Sequence, residues 1–439
     1  MSESLLGSLQ QRLSSVEVSP PTVRGVLTRV TGMMLSARGV RAPLGAYCEV
    51  MAEQGEGIVC EVVGFRDGEI MLMPLSVVQG LLPGAAVRVL TLTARVGVGA
   101  GLLGRVVDGL GDPLDGGAAI EHEVFVPLRG ERRNPLHRAA ITEPLDVGVR
   151  AINTFLTVGQ GQRIGLIAGS GVGKSMLLGM MTRFTAADVI VIGMIGERGR
   201  EVLDFVHETL GEEGLKRAVV VAAPGDRSPV LRLRATHYSC AIAEYFRDQG
   251  KNVLLLMDSL TRVAHAQREV GLAAGEPPTT KGYTPSVFFL INELVERAGN
   301  MNSAGSITGI YTVLAEGDDA NDPIVDGARA ILDGHVLLSR EIAAMGQYPA
   351  IDISVSVSRL ATKIVSSERR ALVTKFRRLL ATYEENKDLV AVGAYRPGTQ
   401  PELDEALQRR GLFREFLSQG ADESVTLDQG FAQLQQVLA

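Results

Sequence analysis

Ala168-Gly169-Ser170-Gly171-Val172-Gly173-Lys174-Ser175 is the stretch on which the reading of this chain turns. It follows the apolar run Ile164-Gly165-Leu166-Ile167 and precedes Met176-Leu177-Leu178-Gly179-Met180-Met181. Strand, glycine loop, helix is the order a phosphate-binding P-loop requires. Glycines lack the Cβ that would keep successive backbone N–H groups from turning onto phosphate oxygens. A helix starting near Lys174 adds unpaired N–H groups and a partial positive charge beneath the phosphates. Lys174 brings a full charge toward the β and γ phosphates, and the Ser175 hydroxyl is a ligand for Mg²⁺. The expected nucleotide-binding run is therefore Gly169, Ser170, Gly171, Val172, Gly173, Lys174, Ser175 and Met176. Ala168 stands where the strict pattern has glycine. The competing reading, a glycine-rich turn with a solvated lysine, has to treat the agreement of glycines, Lys, Ser and both flanks as chance.

A chain of 439 residues has room for two or three domains, because single cores seldom grow beyond about 250–300 residues. A net charge of −6 disfavours a surface built mainly for nucleic acid, and no nucleic-acid partner is expected. Cys48, Cys60 and Cys240 lie far apart without a C-x-x-C pair, and the start Met1-Ser2-Glu3 is acidic where a secretory leader is basic. Both point to a reducing cytoplasm. The longest apolar runs, 189–195 and 253–257, fall well short of the ~20 residues a bilayer crossing needs.

Leu5, Leu6, Leu9, Leu13 and Val16 share one helical face, and Pro20-Pro21 ends that helix. A helix this short is marginal alone, so it docks on its own domain or on a partner; the segment is 1–22. From 23 to 93 short β-prone runs (25–30, 47–50, 57–63, 86–90) between turn residues read as a small β-barrel. Residues 94–360 form the next domain, in which apolar strands alternate with helices from about 162 to 358, with strand candidates at 163–167, 189–195, 219–223, 253–257, 306–313, 334–338 and 353–357. That pattern is an α/β fold, a mostly parallel sheet covered on both faces. Residues 361–439 read as a C-terminal helical domain with breaks at Gly393–Gly398 and near Gly411 and Gly420. Gly99-Ala100-Gly101-Leu102-Leu103-Gly104 is formally G-x-G-x-x-G, yet the turn-rich Val106–Pro113 follows it instead of a helix. It reads as a linker or a turn leading into the next domain, not a dinucleotide site.

Val253-Leu254-Leu255-Leu256-Met257-Asp258 is an apolar strand ending in an acid. Ligands of this fold class sit at the carboxyl ends of strands, so Asp258 either holds Mg²⁺ through water or caps the next turn. The strand 189–195 runs into Gly196-Glu197-Arg198-Gly199-Arg200-Glu201. There Glu197 can polarise an attacking water, Arg198 can neutralise transferred phosphoryl charge, and Glu201 can support the metal's water shell. On its own the run is equally consistent with a solvated helix start. Arg359 lies beyond the last strand candidate and far along the chain from the P-loop. If it reaches a phosphate, it does so across a subunit interface as an arginine finger. Tyr348 offers an aromatic face for adenine, or simply packs.

The set AGSGVGKS, GERGREV, LLLMDSLTR, GEPPTTKGYTPSVF, YTVLAEGDD, ARAILDGH and YPAID…SVSR resembles the ATPases of type III protein export over roughly residues 24–400. The flagellum-specific export ATPases are most similar, injectisome ATPases next, and the likeness extends to the rotary F-type and V-type ATPases. The resemblance implies an N-terminal barrel, a RecA-like P-loop ATPase core and a C-terminal helical domain. It further implies a homohexameric ring with shared sites that hydrolyses ATP with Mg²⁺ to energise export. By motif position, Lys174 and Ser175 meet phosphate and Mg²⁺, Glu197 activates water, and Arg198 meets the γ-phosphate. Glu201 and Asp258 serve the metal, Arg359 serves the neighbour's nucleotide, Tyr348 flanks adenine, and Tyr395 is its second aromatic. Implied partners are a regulatory or stator protein at the N-terminal helix, a central stalk protein, the export gate, chaperones and export substrates. The implied location is cytoplasmic, peripheral at the inner membrane. Thr284 and Asn292 depart from the family, which has proline at both positions. A rotary catalytic subunit lacks support because the long V-type insertion is absent. A ring helicase lacks a basic surface, and a silent ring subunit is at odds with an intact Lys174, Glu197 and Arg359.

Overall fold

In the computed structural model the described residues are 24–439, apart from 54–55, 132–133, 303–304 and 316–321. The expected N-terminal helix over 1–22 lies outside them. The chain divides into two compact units between Thr93 and Ala94.

The first unit is a closed six-stranded barrel of Gly25–Thr31, Met34–Arg38, Tyr47–Val50, Ile58–Arg66, Glu69–Pro74 and Ala86–Thr91. Alternation sends Leu27, Leu35, Cys48, Val50, Cys60, Val62 and Leu72 inward, where they form one cluster. The hairpin joining Arg66 to Glu69 turns through Asp67 and Gly68, both at positive φ (52° and 75°). Two successive left-handed residues are what a two-residue hairpin demands, which is why Asp-Gly stands there.

The second unit is built on a nine-stranded sheet. Six parallel strands form its centre, in the order Gly334–Leu338, Arg163–Ala168, Ser306–Leu314, Asn252–Asp258, Val189–Ile195 and Ala218–Ala223. They are nearly continuous apolar runs because both faces are covered. On one face Ile190 and Ile192 join Leu177, Leu178 and Met181 of the helix Lys174–Phe184. On the other, Val189 and Val191 join Ala241, Phe246, Val263 and Leu290 from the helices Pro229–Asp248, Leu260–Ala274 and Pro285–Glu296.

Three expectations are corrected. The segment 353–357 is no strand: Asp352 O accepts from both Ser356 N (3.1 Å) and Ser356 Oγ (2.5 Å), and Asp352 Oδ1 accepts from Ser354 N (2.9 Å). Its serines and aspartate bond their own backbone into a turn, leaving only the antiparallel edge pair Val357–Ser358. Gly411 does not break a helix; Pro401–Leu417 runs through it. The ~1 kcal/mol that a mid-helix glycine costs is offset by Phe413 and Phe416, whose rings lie 4.5 and 5.8 Å from Phe376. The linker reading of 99–113 is incomplete, since Val106–Val107 joins the sheet edge beside Ala218–Ala223. The helices Ser367–Ala391, Pro401–Leu417 and Leu427–Leu438 share the core of the P-loop helix, with Phe376, Phe413 and Leu434 in the same cluster as Leu177.

Candidate active site

The strand Arg163–Ala168 ends buried, and its last carbonyl accepts from Ala315 N (3.1 Å). Beyond it Gly171 (φ 77°) and Gly173 (φ 90°) are left-handed, conformations that a side chain rarely adopts. The loop so shaped opens a cleft of about 600 Å³ at the carboxyl ends of the strands, lined by Gly169, Ser170, Gly171, Gly173, Lys174, Ser175 and Met176. Val172 points away into the core, 1% exposed, leaving only its backbone for a phosphate. Gly173→Ala is expected to abolish nucleotide binding measured by fluorescent ATP titration. The added methyl would sit at a left-handed φ and 3.3 Å from the Tyr348 ring, a strain of about 1–2 kcal/mol before any ligand contact is lost.

Three charged groups meet across the cleft. Lys174 Nζ lies 2.5 Å from Asp258 Oδ1 and 3.8 Å from Glu197 Oε1. Asp258 ends its strand and also accepts from Thr312 Oγ1 (2.6 Å). Capping of the following helix falls to Ser259, whose Oγ accepts from Arg262 N (3.4 Å), so Asp258 is free to face the cleft. Glu197 is placed by Gly196, at φ 73° with Gly196 N donating to Ala223 O (2.7 Å). A Cβ at Gly196 would come 2.8 Å from Arg262 Cβ, so glycine there lets Arg262 close in on the Glu197 turn.

Glu197 is buried, and its Oε1 has no hydrogen-bond partner among the described residues. Its pKa is raised from 4.5 to about 7, chiefly by burial, with Lys174 opposing the rise and the Asp258 charge and Glu201 adding to it. A hydrogen bond with Glu197 holds Glu201 below its ordinary value. A buried carboxyl raised to about 7 is a group set up to exchange a proton near neutral pH.

Arg198 and Glu201 line the cleft mouth 3.8 Å apart and largely in solvent. Arg262 and Arg340 also line it; sequence reasoning missed both, although Arg262 stands in LLLMDSLTR beside Asp258. The Tyr348 ring approaches Gly173 but is not among the residues lining the cleft. Tyr395 is not among the lining residues: its hydroxyl donates to Asp404 Oδ1 (2.9 Å) and Gln400 O (3.2 Å) in the C-terminal helices. Arg359 is exposed and outside the cleft, its Nη2 donating to Arg329 O (3.0 Å).

Residues 148–358 match the nucleotide-binding domain of the ATP synthase alpha/beta family, and 365–436 match the T3SS EscN ATPase C-terminal domain. The chain is 55% identical to the flagellum-specific ATP synthase of Pseudomonas aeruginosa over 423 residues, 95% of this chain and 94% of the relative. It is 50% identical to the type 3 secretion system ATPase of Xanthomonas euvesicatoria over 400 residues, 91% and 90% of the two chains. Its fold superposes on the assembled ATPase EscN of the enteropathogenic E. coli type III secretion system with a TM-score of 0.90. There 42% of residues are identical, and the match covers 94% of this chain and all of that one. EscN in complex with its central stalk EscO gives a TM-score of 0.88 at 41% identity over 94% of this chain and 100% of that one.

Proposed function

This chain belongs to the family of flagellum-specific ATP synthases and type III secretion ATPases and is an ATPase, and from that premise we propose that it works as a homohexameric ring powering flagellar protein export. The observation that carries the reading is the convergence of Lys174, Glu197 and Asp258 on one cleft behind the glycine loop.

The residues divide the work by their chemistry. Backbone N–H groups of 169–175 and the Lys174 ammonium hold the phosphates, and ATP displaces Lys174 from its pair with Asp258. Glu197, whose Oε1 accepts no hydrogen bond among the described residues, takes the proton of the attacking water. Arg198 faces the γ-phosphate. Ser175, Asp258 and Glu201, all hard oxygen donors lining the cleft, would hold Mg²⁺ with the phosphates, and the ion would neutralise phosphate charge there. The exposed Arg359, remote from its own cleft, serves the adjacent subunit's nucleotide, and Tyr348 flanks the adenine.

The assembled EscN and its stalk complex support a ring around a central stalk protein. A regulatory or stator protein at residues 1–22, the export gate, chaperones and export substrates complete the proposed partners. No described helix is long and apolar enough to cross a membrane, and attachment at the cytoplasmic face of the inner membrane is proposed through those partners. Removal of the protein from its host tests the assignment. Lost motility and filament export with effector secretion intact is the expected result; lost effector secretion with motility intact would assign it to an injectisome instead, the reading the Xanthomonas relative favours. Loss of neither would overturn both.

A further inference from the structure

Tyr348 sits in the loop after the short helix Arg340–Ala344, and that loop is held by the C-terminal helices. Gln419 N donates to Tyr348 O (2.8 Å) and Arg414 Nη2 donates to Met345 O (2.7 Å). Gln419 is 5% exposed, and its amide is used at both ends. Oε1 accepts from Arg150 N (2.7 Å), while Nε2 donates to Gly148 O (2.8 Å) and Glu423 O (2.7 Å). Arg150 in turn caps the helix Pro401–Leu417, its Nη1 donating to Phe416 O (3.1 Å) and Ser418 O (3.2 Å). A cation on the last carbonyls of a helix is favourable by charge and by hydrogen bonding. The backbone of residue 419 is therefore set by Gly148 and Arg150, at the start of the helix Arg150–Phe155, and by the C-terminal segment at once, and it sets Tyr348.

We propose that Gln419 is a positioning residue for the nucleobase. It fixes the Tyr348 backbone so that the ring stands beside Gly173, and it ties the grip on adenine to the seating of the C-terminal helices. The inference rests on the reading of Tyr348 given above. Any partner that shifts those helices changes ATP affinity through this hydrogen bond without touching the phosphate loop, and ATP resists that shift by the same factor.

The test compares ATP with tripolyphosphate, which has the phosphates and no base, on the purified full-length protein. Gln419→Ala keeps the N–H that Tyr348 O accepts and removes the side-chain bonds that place it; it is expected to raise the KM for ATP about fivefold, about 1 kcal/mol of lost positioning. The kcat and the inhibition constant of tripolyphosphate stay within twofold. Tyr348→Ala is expected to show the same split, larger. Equal weakening of both ligands by Gln419→Ala would reduce Gln419 to a structural role and overturn the inference. So would normal ATP affinity in Gln419→Ala alongside weakened affinity in Tyr348→Ala. If Tyr348→Ala leaves the ratio of the two ligands unchanged, the adenine reading itself fails. Should Gln419→Ala not fold, the exposed Arg414→Ala, which frees Met345 O, decides: the same split at about twofold supports the proposal, and no split overturns it.

Discussion

Glu197→Gln is expected to bind ATP normally and to lose about 10²- to 10⁴-fold in turnover, the span a positioned general base contributes. Gln keeps the shape of the side chain and cannot accept the proton. Near-wild-type hydrolysis by this variant would remove Glu197 from that role. The pH dependence gives a second check. With a pKa near 7 in the free protein, Glu197 carries the active carboxylate above that value, so kcat/KM falls as pH drops below about 7. Stability moves the opposite way. The folded-state pKa is raised from 4.5 to about 7, so between those values the folded chain binds a proton that the unfolded chain has lost. Stability from this group is full below about pH 4.5 and declines as pH rises toward 7. Glu197→Gln removes the decline. Its melting temperature should exceed wild type at pH 8, with the gap closing near pH 4, a site in which function costs stability.

Arg359→Ala is expected to abolish the rate gain that accompanies assembly, about 10³- to 10⁵-fold if the guanidinium acts as an arginine finger. Within its own subunit Arg359 follows the edge pair Val357–Ser358, with its N donating to Asp333 O (2.9 Å) and its side chain to Arg329 O. Neither contact is near the cleft, so its catalytic use requires a second subunit. Specific activity measured over a dilution series should rise with assembly in wild type and stay flat in Arg359→Ala. A wild-type activity independent of concentration would defeat the shared-site reading.

The parts of this protein that were legible in the chain are those written in local chemistry. The P-loop announces itself because glycine spacing, lysine and flanking strand and helix lie within twenty residues of one another. Doubly covered strands are unbroken apolar runs; Asp258 ends one and Glu197 stands two residues past the end of another, so both emerge at the carboxyl edge. Folding in three dimensions decided the rest. Arg340 enters the cleft through the order in which the strands are laid side by side, which no window of residues contains, whereas Arg262 stands only four residues beyond Asp258. Tyr348 meets Gly173, and Gln419 meets Tyr348, only because the C-terminal helices pack Phe376 and Phe413 into the core of the P-loop helix. The Tyr395 hydroxyl is bonded to Asp404, a contact its letter alone does not show. The segment 353–357 alternates Ser with Ile and Val as a strand would, yet Asp352, Ser354 and Ser356 bond their own backbone into a turn. Periodicity reports which face a residue can turn inward; contacts between distant segments depend on packing that only the folded chain creates.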